Sequence, residues 1–99
     1  MDFLRRTWAE IDTKALVHNL KIFKEKLGDK KFMAVVKANA YGHSVKALCP
    51  VLDQNGADWF AVSNINEAIE LRETGINKPI LILGYTPVEM VLELQKHNI

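Results

Sequence analysis

The chain has 99 residues, of which 48% are hydrophobic and 25% are charged, a composition typical of one modest globular domain. Its formal net charge is +1, and basic residues are interspersed with acidic ones, which argues against a nucleic-acid-binding surface. No apolar run reaches the roughly 20 residues that span a bilayer. The N-terminus also lacks the apolar core of a signal peptide, so we expect no membrane association. Because Cys49 is the only cysteine, no internal disulfide can form, and the cytoplasm is the expected location.

The first third of the chain predicts a helix followed by a strand. Residues 7–11 are expected to form a short extended segment, after which Asp12 can cap a helix that ends at Gly28. The apolar residues between these two ends recur at helical spacing: Leu16, Leu20, Phe23 and Leu27. The continuous apolar run 32–36 then favours a strand that is buried on both faces of a parallel sheet.

The same alternation of helix and strand continues through the middle of the chain. A helix is expected from about Val45, with Pro50 either inside it or shortening it. The run 59–63 predicts a second buried strand, and either Asn64 or Asn66 can cap the helix that follows.

The last part of the chain predicts a third unit. Gly75 is expected to stop the preceding helix, residues 80–83 to form a strand, and Pro87 to open a final helix. Strands that alternate with helices in this way indicate an α/β fold with a parallel sheet. The pattern alone leaves a doubly wound sheet and a barrel open. A full (β/α)8 barrel needs roughly 250 residues. We therefore expect an incomplete barrel whose edge strands have unpaired backbone groups.

The segment 34–43, AVVKANAYGH, carries the main candidate for chemistry. Lys37 ends an apolar strand that is expected to be deeply buried, and lysine is rarely buried without a partner or a task. Polar residues at the carboxyl end of a barrel strand lie on the face where active sites form. A neutral, buried lysine amine can attack a carbonyl to form a Schiff base. The alternative from the residues alone is a lysine whose amine reaches solvent from the strand end.

Blocks along nearly the whole chain resemble the alanine racemase family. VVKANAYGH at 35–43 resembles the family's pyridoxal-phosphate (PLP) lysine motif, and WAEID at 8–12 with 15–20 resembles its N-terminal segment. The blocks within 61–84 resemble its second and third strands with their connecting helix.

The resemblance implies a fold-type III PLP enzyme with an N-terminal (β/α)8 barrel and a C-terminal β domain. Residues 1–99 would then be the N-terminal part of the PLP-binding barrel, roughly its first three βα units, without the C-terminal β domain. Lys37 would hold PLP covalently and act as one of two bases. Tyr41 would help to hold the cofactor phosphate; the alternative is a tyrosine packed at the barrel rim.

Neighbours of Lys37 have supporting roles in this interpretation. Gly42 is expected to permit a tight turn, and His43 is either a supporting residue of the site or a generic histidine at a helix start. Asn39 either orients nearby backbone or is an ordinary turn residue. Ser44 stands where the family usually has glycine; since serine caps helices well, we expect little structural cost. No metal site is expected, because the histidines lack ligand spacing.

The function implied by the resemblance is the racemisation of alanine, which supplies D-alanine to the bacterial cell wall. A serine racemase of the same family and a non-catalytic PLP-binding barrel are the alternatives. The family's second base, a tyrosine, comes from the C-terminal domain of the partner subunit of a homodimer. The 99-residue chain is therefore expected to be inactive by itself and to self-associate through its exposed sheet edges or apolar faces.

Overall fold

A computed structural model describes residues 6–99 of the chain, which alternate between helices and strands. The helices are α1 (Thr13–Leu27), a five-residue helical turn α2 (Lys37–Tyr41), α3 (Val45–Gln54), α4 (Ile65–Glu73) and α5 (Val91–His97). The strands are β1 (Met33–Val35), β2 (Trp59–Val62) and β3 (Ile80–Ile82), and a 3-10 turn at Val88–Met90 leads into α5.

The three strands form one parallel sheet in the order β1-β2-β3. Ala34 is paired with Phe60, and Phe60 is paired in turn with Ile80, so the strands are aligned across the sheet. Parallel neighbours must be joined by crossover connections, and here the segments containing α3 and α4 serve as those connections. The α/β fold and the three predicted strands are confirmed.

The residues that bound the helices act largely as the sequence predicts. The Asp12 carboxylate accepts a hydrogen bond from the Ala15 amide at 3.0 Å, and the Gly28 amide donates to the Lys24 carbonyl. Asn64, rather than Asn66, caps α4 by accepting from the Glu67 amide at 2.9 Å. Each cap satisfies a backbone group that has no partner within its own helix.

Residues 7–11 form neither a helix nor a strand, so the extended segment expected there takes no part in the sheet. One expectation about the first strand is wrong. Strand β1 is not buried on both faces: Ala34 is buried, but Met33 and Val35 are 38% and 41% exposed. The physical reason is that the buried core lies on only one face of the sheet. The helix expected around Pro50 continues past this proline to Gln54.

The core lies between the covered face of the sheet and the packed helices. Its largest fully buried side chains are Phe60, Leu71, Ile76, Val62 and Cys49. Although Ala61 on the opposite face is buried, that face exposes four apolar side chains: Met33, Val35, Trp59 and Leu81. No helix within residues 6–99 is both long and apolar enough to cross a membrane.

Candidate functional site

The carboxyl ends of the three strands meet at one edge of the sheet, and the candidate residues follow these ends. The Val36 amide donates to the Ala61 carbonyl at 2.9 Å, and the Leu83 amide donates to the Val62 carbonyl at 2.8 Å. These bonds continue the parallel pairing beyond β1 and β3. Lys37 therefore leaves the sheet beside the end of β2, where Ser63 follows.

The segment directly after Lys37 is a left-handed helical turn. Ala38, Asn39, Ala40 and Tyr41 have φ angles of 52°, 55°, 57° and 55°. Residues with a Cβ adopt this conformation at a cost of roughly 1–2 kcal/mol each. The sequence did not indicate such a turn, because only Asn39 among these residue types tolerates the left-handed region well.

Hydrogen bonds and packing hold this turn in place. The Ala40 amide donates to the Val36 carbonyl at 3.0 Å, and the Gly42 amide donates to the Ala38 carbonyl at 3.0 Å. The Asn39 side chain accepts from the Val45 amide at 2.9 Å, so it orients the backbone at the start of α3. Ala40 is only 5% exposed and anchors the turn in the core.

Glu67, in the first turn of α4, joins this turn to the end of β2. Its Oε2 accepts from the Ala38 amide at 3.0 Å, while Oε1 accepts from the Ser63 amide at 2.8 Å and the Ser63 hydroxyl at 2.6 Å. Burial by itself would raise the pKa of Glu67. The hydrogen bonds from Ser63 and Ala38 and the nearby Lys37 charge outweigh that effect, so the pKa lies below its usual value.

Glu67 was missed as a site residue in the sequence. The available signal was the spacing Asn64-x-x-Glu67, since an Asn followed three residues later by Glu is typical of a helix start. This signal predicts a cap. It does not predict that the carboxylate reaches across to the backbone that follows another strand.

Lys37 and Tyr41, the two predicted cofactor-binding residues, are the first and last residues of α2. Lys37 is half-buried rather than deeply buried, because the face of the sheet next to β1 is open. It takes no part in the ion pairs found among residues 6–99, which join Lys24 to Asp58 and Lys78 to Asp53, or in the contact between His97 and Glu93.

Tyr41 is 59% exposed. It borders a groove of about 230 Å³ whose lining is mainly apolar, and Lys37 is not among the lining residues. The Tyr41 side chain is therefore accessible from solvent at the same end of the sheet as Lys37.

The residues after Tyr41 complete the connection to α3. Gly42 has a φ of 85°, which confirms that it permits a tight turn. The His43 ring donates through Nδ1 to the Ala40 carbonyl at 3.0 Å, a contact that supports the turn. Ser44 caps α3 by accepting from the Ala47 amide at 3.2 Å. However, its φ of 79° is unfavourable for serine, so the expectation of little structural cost is wrong.

The loop after β3 approaches the same edge of the sheet closely. A Cβ on Gly84 would lie 2.5 Å from the Ser63 carbonyl oxygen, a distance that real Cβ atoms do not tolerate. Glycine is thus required here by space rather than by backbone angle. Gly84 keeps the ends of β2 and β3 together beside Glu67.

Residues 11–99 match the family model described as alanine racemase, N-terminal domain. The chain belongs to the alanine racemase family. Alanine racemase of Clostridium tetani is 47% identical over 96 residues, which are 97% of this chain and 25% of the relative. The chain thus spans about a quarter of the length of the curated family members that it matches.

Solved structures show the same fold. Alanine racemase of Bacillus anthracis with bound L-Ala-P matches with a TM-score of 0.92 and 36% identity, over 99% of this chain and 26% of that one. A histidine racemase of Leuconostoc mesenteroides matches with a TM-score of 0.81 and 36% identity, over 87% of this chain and 23% of that one. The three parallel strands with their helices correspond to the N-terminal part of alanine racemase structures.

Proposed function

We propose that this chain is the N-terminal part of a PLP-binding (β/α)8 barrel that interconverts L-alanine and D-alanine. Lys37 would hold PLP covalently, and the Tyr41 hydroxyl would help to hold the cofactor phosphate. The observation that carries the proposal is the position of Lys37, directly after a parallel strand, where a left-handed turn begins and continues to Tyr41. Membership of the alanine racemase family supports it.

The donor groups at this edge of the sheet fit the cofactor. Lys37 provides a primary amine that is in no ion pair within residues 6–99, and Tyr41 provides an exposed phenol. PLP supplies an aldehyde that a lysine amine can bind covalently and a ring that stabilises the negative charge developed at the substrate Cα. The turn α2 fixes the spacing between the two side chains along the backbone.

Racemisation requires a base on each face of the substrate Cα, because the proton must leave one face and return on the other. We assign one of these bases to Lys37 Nζ. From the family resemblance we infer that the second base comes from the C-terminal domain of a partner subunit of a homodimer. We therefore expect the 99-residue chain to show no racemase turnover by itself. Turnover by the purified chain that disappears in Lys37→Ala would contradict this expectation.

Alanine is the proposed substrate because the curated relatives that match are alanine racemases. The similarity to a histidine racemase indicates that this part of the fold is compatible with other amino acids. Substrate choice is therefore assigned to residues outside this N-terminal segment. The cytoplasm stays the proposed location.

The test is covalent trapping of the cofactor. The chain is mixed with PLP, reduced with borohydride and digested, and the modified lysines are identified by peptide mass. We expect Lys37 to be labelled more than Lys46, an exposed lysine on α3 that serves as an internal reference. The matched variants are Lys37→Ala, which should abolish selective labelling, and Lys46→Ala, which should not affect it. Equal labelling of all lysines would refute Lys37 as the PLP lysine.

A further inference from the structure

Glu67 connects three backbone or side-chain donors that belong to different parts of the fold. Its two carboxylate oxygens accept separately: Oε2 takes the Ala38 amide at 3.0 Å, and Oε1 takes both donors of Ser63 at 2.6–2.8 Å. Hydrogen bonds to a charged acceptor are stronger than those between neutral groups. The carboxylate thus ties the residue after Lys37 to the residue that follows β2.

The hydrogen bond from Ala38 to Glu67 lies where the backbone conformation is least favourable. Ala38 begins a run of four residues with a Cβ and left-handed φ angles, a conformation that persists only where the surroundings enforce it. The Ala38 amide is the first donor of this run, and its acceptor is Glu67 rather than a backbone carbonyl of the sheet. Without that acceptor, the backbone directly after Lys37 could adopt a more common conformation.

We propose that Glu67 is a positioning residue, which holds the left-handed turn α2 against the end of β2 and so sets the direction of the Lys37 side chain. The proposal deepens the function proposed above, since it concerns the residue that presents the cofactor-binding lysine. Glu67 does not have to touch the cofactor or the substrate. It acts through the backbone of Ala38.

The decisive variant is Glu67→Gln, because a carboxamide has one acceptor oxygen where the carboxylate has two. At least one of the Ala38 and Ser63 amides must then lose its acceptor, whichever way the side chain turns. The matched control is Glu73→Gln, which removes a charge from the same helix at an exposed position. Amide hydrogen exchange, resolved by residue, is measured for the wild-type chain and both variants.

We expect exchange at Ala38 or Ser63 to rise on the order of tenfold in Glu67→Gln, as for the loss of one hydrogen bond to a charged group. Exchange at Leu71, in the buried part of α4, should stay unchanged, and Glu73→Gln should resemble the wild type throughout. No change at Ala38 and Ser63 would overturn the proposal. An equal rise at Leu71 would also overturn it, because it would indicate a general loss of stability and not a local positioning role.

Labelling of Lys37 by PLP and borohydride gives the second readout. If Glu67 positions the amine, Glu67→Gln should lower the labelling of Lys37 relative to Lys46 severalfold. Selective labelling that persists in this variant, with unchanged exchange, would overturn the positioning role and leave the proposed function standing. Absence of selective labelling in the wild type would instead refute the proposed function, and the exchange data would still decide whether Glu67 holds the turn.

Ser63→Ala covers the case in which Glu67→Gln does not fold. It removes only the hydroxyl donor to Oε1 and leaves the other two hydrogen bonds available. We expect exchange at Ala38 to rise severalfold, because Glu67 loses its shortest contact. An Ala38 amide that exchanges as in the wild type would count against the proposal.

Discussion

Replacing Ala38 by glycine tests the left-handed turn directly. Ala38 has φ 52° and ψ 47° and an exposed side chain, so the substitution removes little packing. A residue with a Cβ adopts these angles at a cost of roughly 1–2 kcal/mol, and glycine does so without it. Glycine also loses more freedom on folding, which costs about 0.5–1 kcal/mol. We therefore expect Ala38→Gly to raise the free energy of unfolding by about 0.5–1 kcal/mol.

The matched control is Ala15→Gly in α1. Ala15 is exposed too, but it lies in a right-handed helix, where glycine brings only the loss of freedom. This variant should lower the free energy of unfolding by about 0.5–1 kcal/mol. The entropic cost is common to both substitutions. The difference between the two variants therefore isolates the cost of the left-handed conformation, about 1–2 kcal/mol.

The assay is urea unfolding followed by circular dichroism, at two protein concentrations so that self-association is recognised. For a domain of about 100 residues, 1 kcal/mol corresponds to a shift of roughly 4–8 °C in the melting temperature, so thermal unfolding gives a second measure. The reasoning is refuted if Ala38→Gly destabilises the chain as much as Ala15→Gly does. In that case the turn after Lys37 would not store the expected strain.

Three further predictions concern the same region and the opposite end of the sheet. Ser44→Gly should stabilise the chain by no more than about 0.5 kcal/mol in urea unfolding, because relief of the unfavourable φ is offset by glycine's greater loss of freedom on folding and by the lost cap. Ser44→Ala keeps the unfavourable φ and loses the cap, so it should destabilise the chain. Gly84→Ala should destabilise the chain by more than about 2 kcal/mol, because the added Cβ clashes with the Ser63 carbonyl. The Cβ in Gly42→Ala meets open space, so this variant should lose only about 1 kcal/mol, from its left-handed φ. Hydrogen bonds from the Phe32 amide and the Lys24 ammonium lower the pKa of Asp58 in the folded chain. The ionised Asp58 therefore stabilises the fold at pH values above the usual carboxyl pKa, and this contribution is lost as the pH falls through the lowered pKa of the folded state. The free energy of unfolding, measured over the acid range, should depend less on pH in Asp58→Asn than in the wild type. An equal dependence on pH in both would contradict the role assigned to Asp58.

The elements of the fold were predictable because their signals are local. Asp12 and Asn64 are side chains whose oxygens can reach the amides of the first helical turn, so their positions reveal the helix starts. The apolar runs revealed the strands for the same reason. These signals depend on a few neighbouring residues, and the structure satisfies them as the sequence suggests.

The site was only partly predictable, because its geometry depends on contacts between distant segments. The position of Lys37 at a strand end follows from the apolar run before it. The left-handed turn does not, since Ala38 and Ala40 have no preference for it and are held there by other parts of the chain. The contact between Glu67 and Ala38 joins residues far apart in sequence, and no local pattern reports it.

Strand β1 shows a different limit of sequence interpretation. A run that is apolar at every position indicates that both faces avoid water, but it does not say which part of the molecule covers each face. Ala34 is covered by the core of this chain, whereas Met33 and Val35 remain over a third exposed. Trp59 and Leu81 extend this apolar surface across the neighbouring strands. Because water contact with such a surface is unfavourable, this open face is the apolar face through which, besides the sheet edges, the 99-residue chain is expected to self-associate.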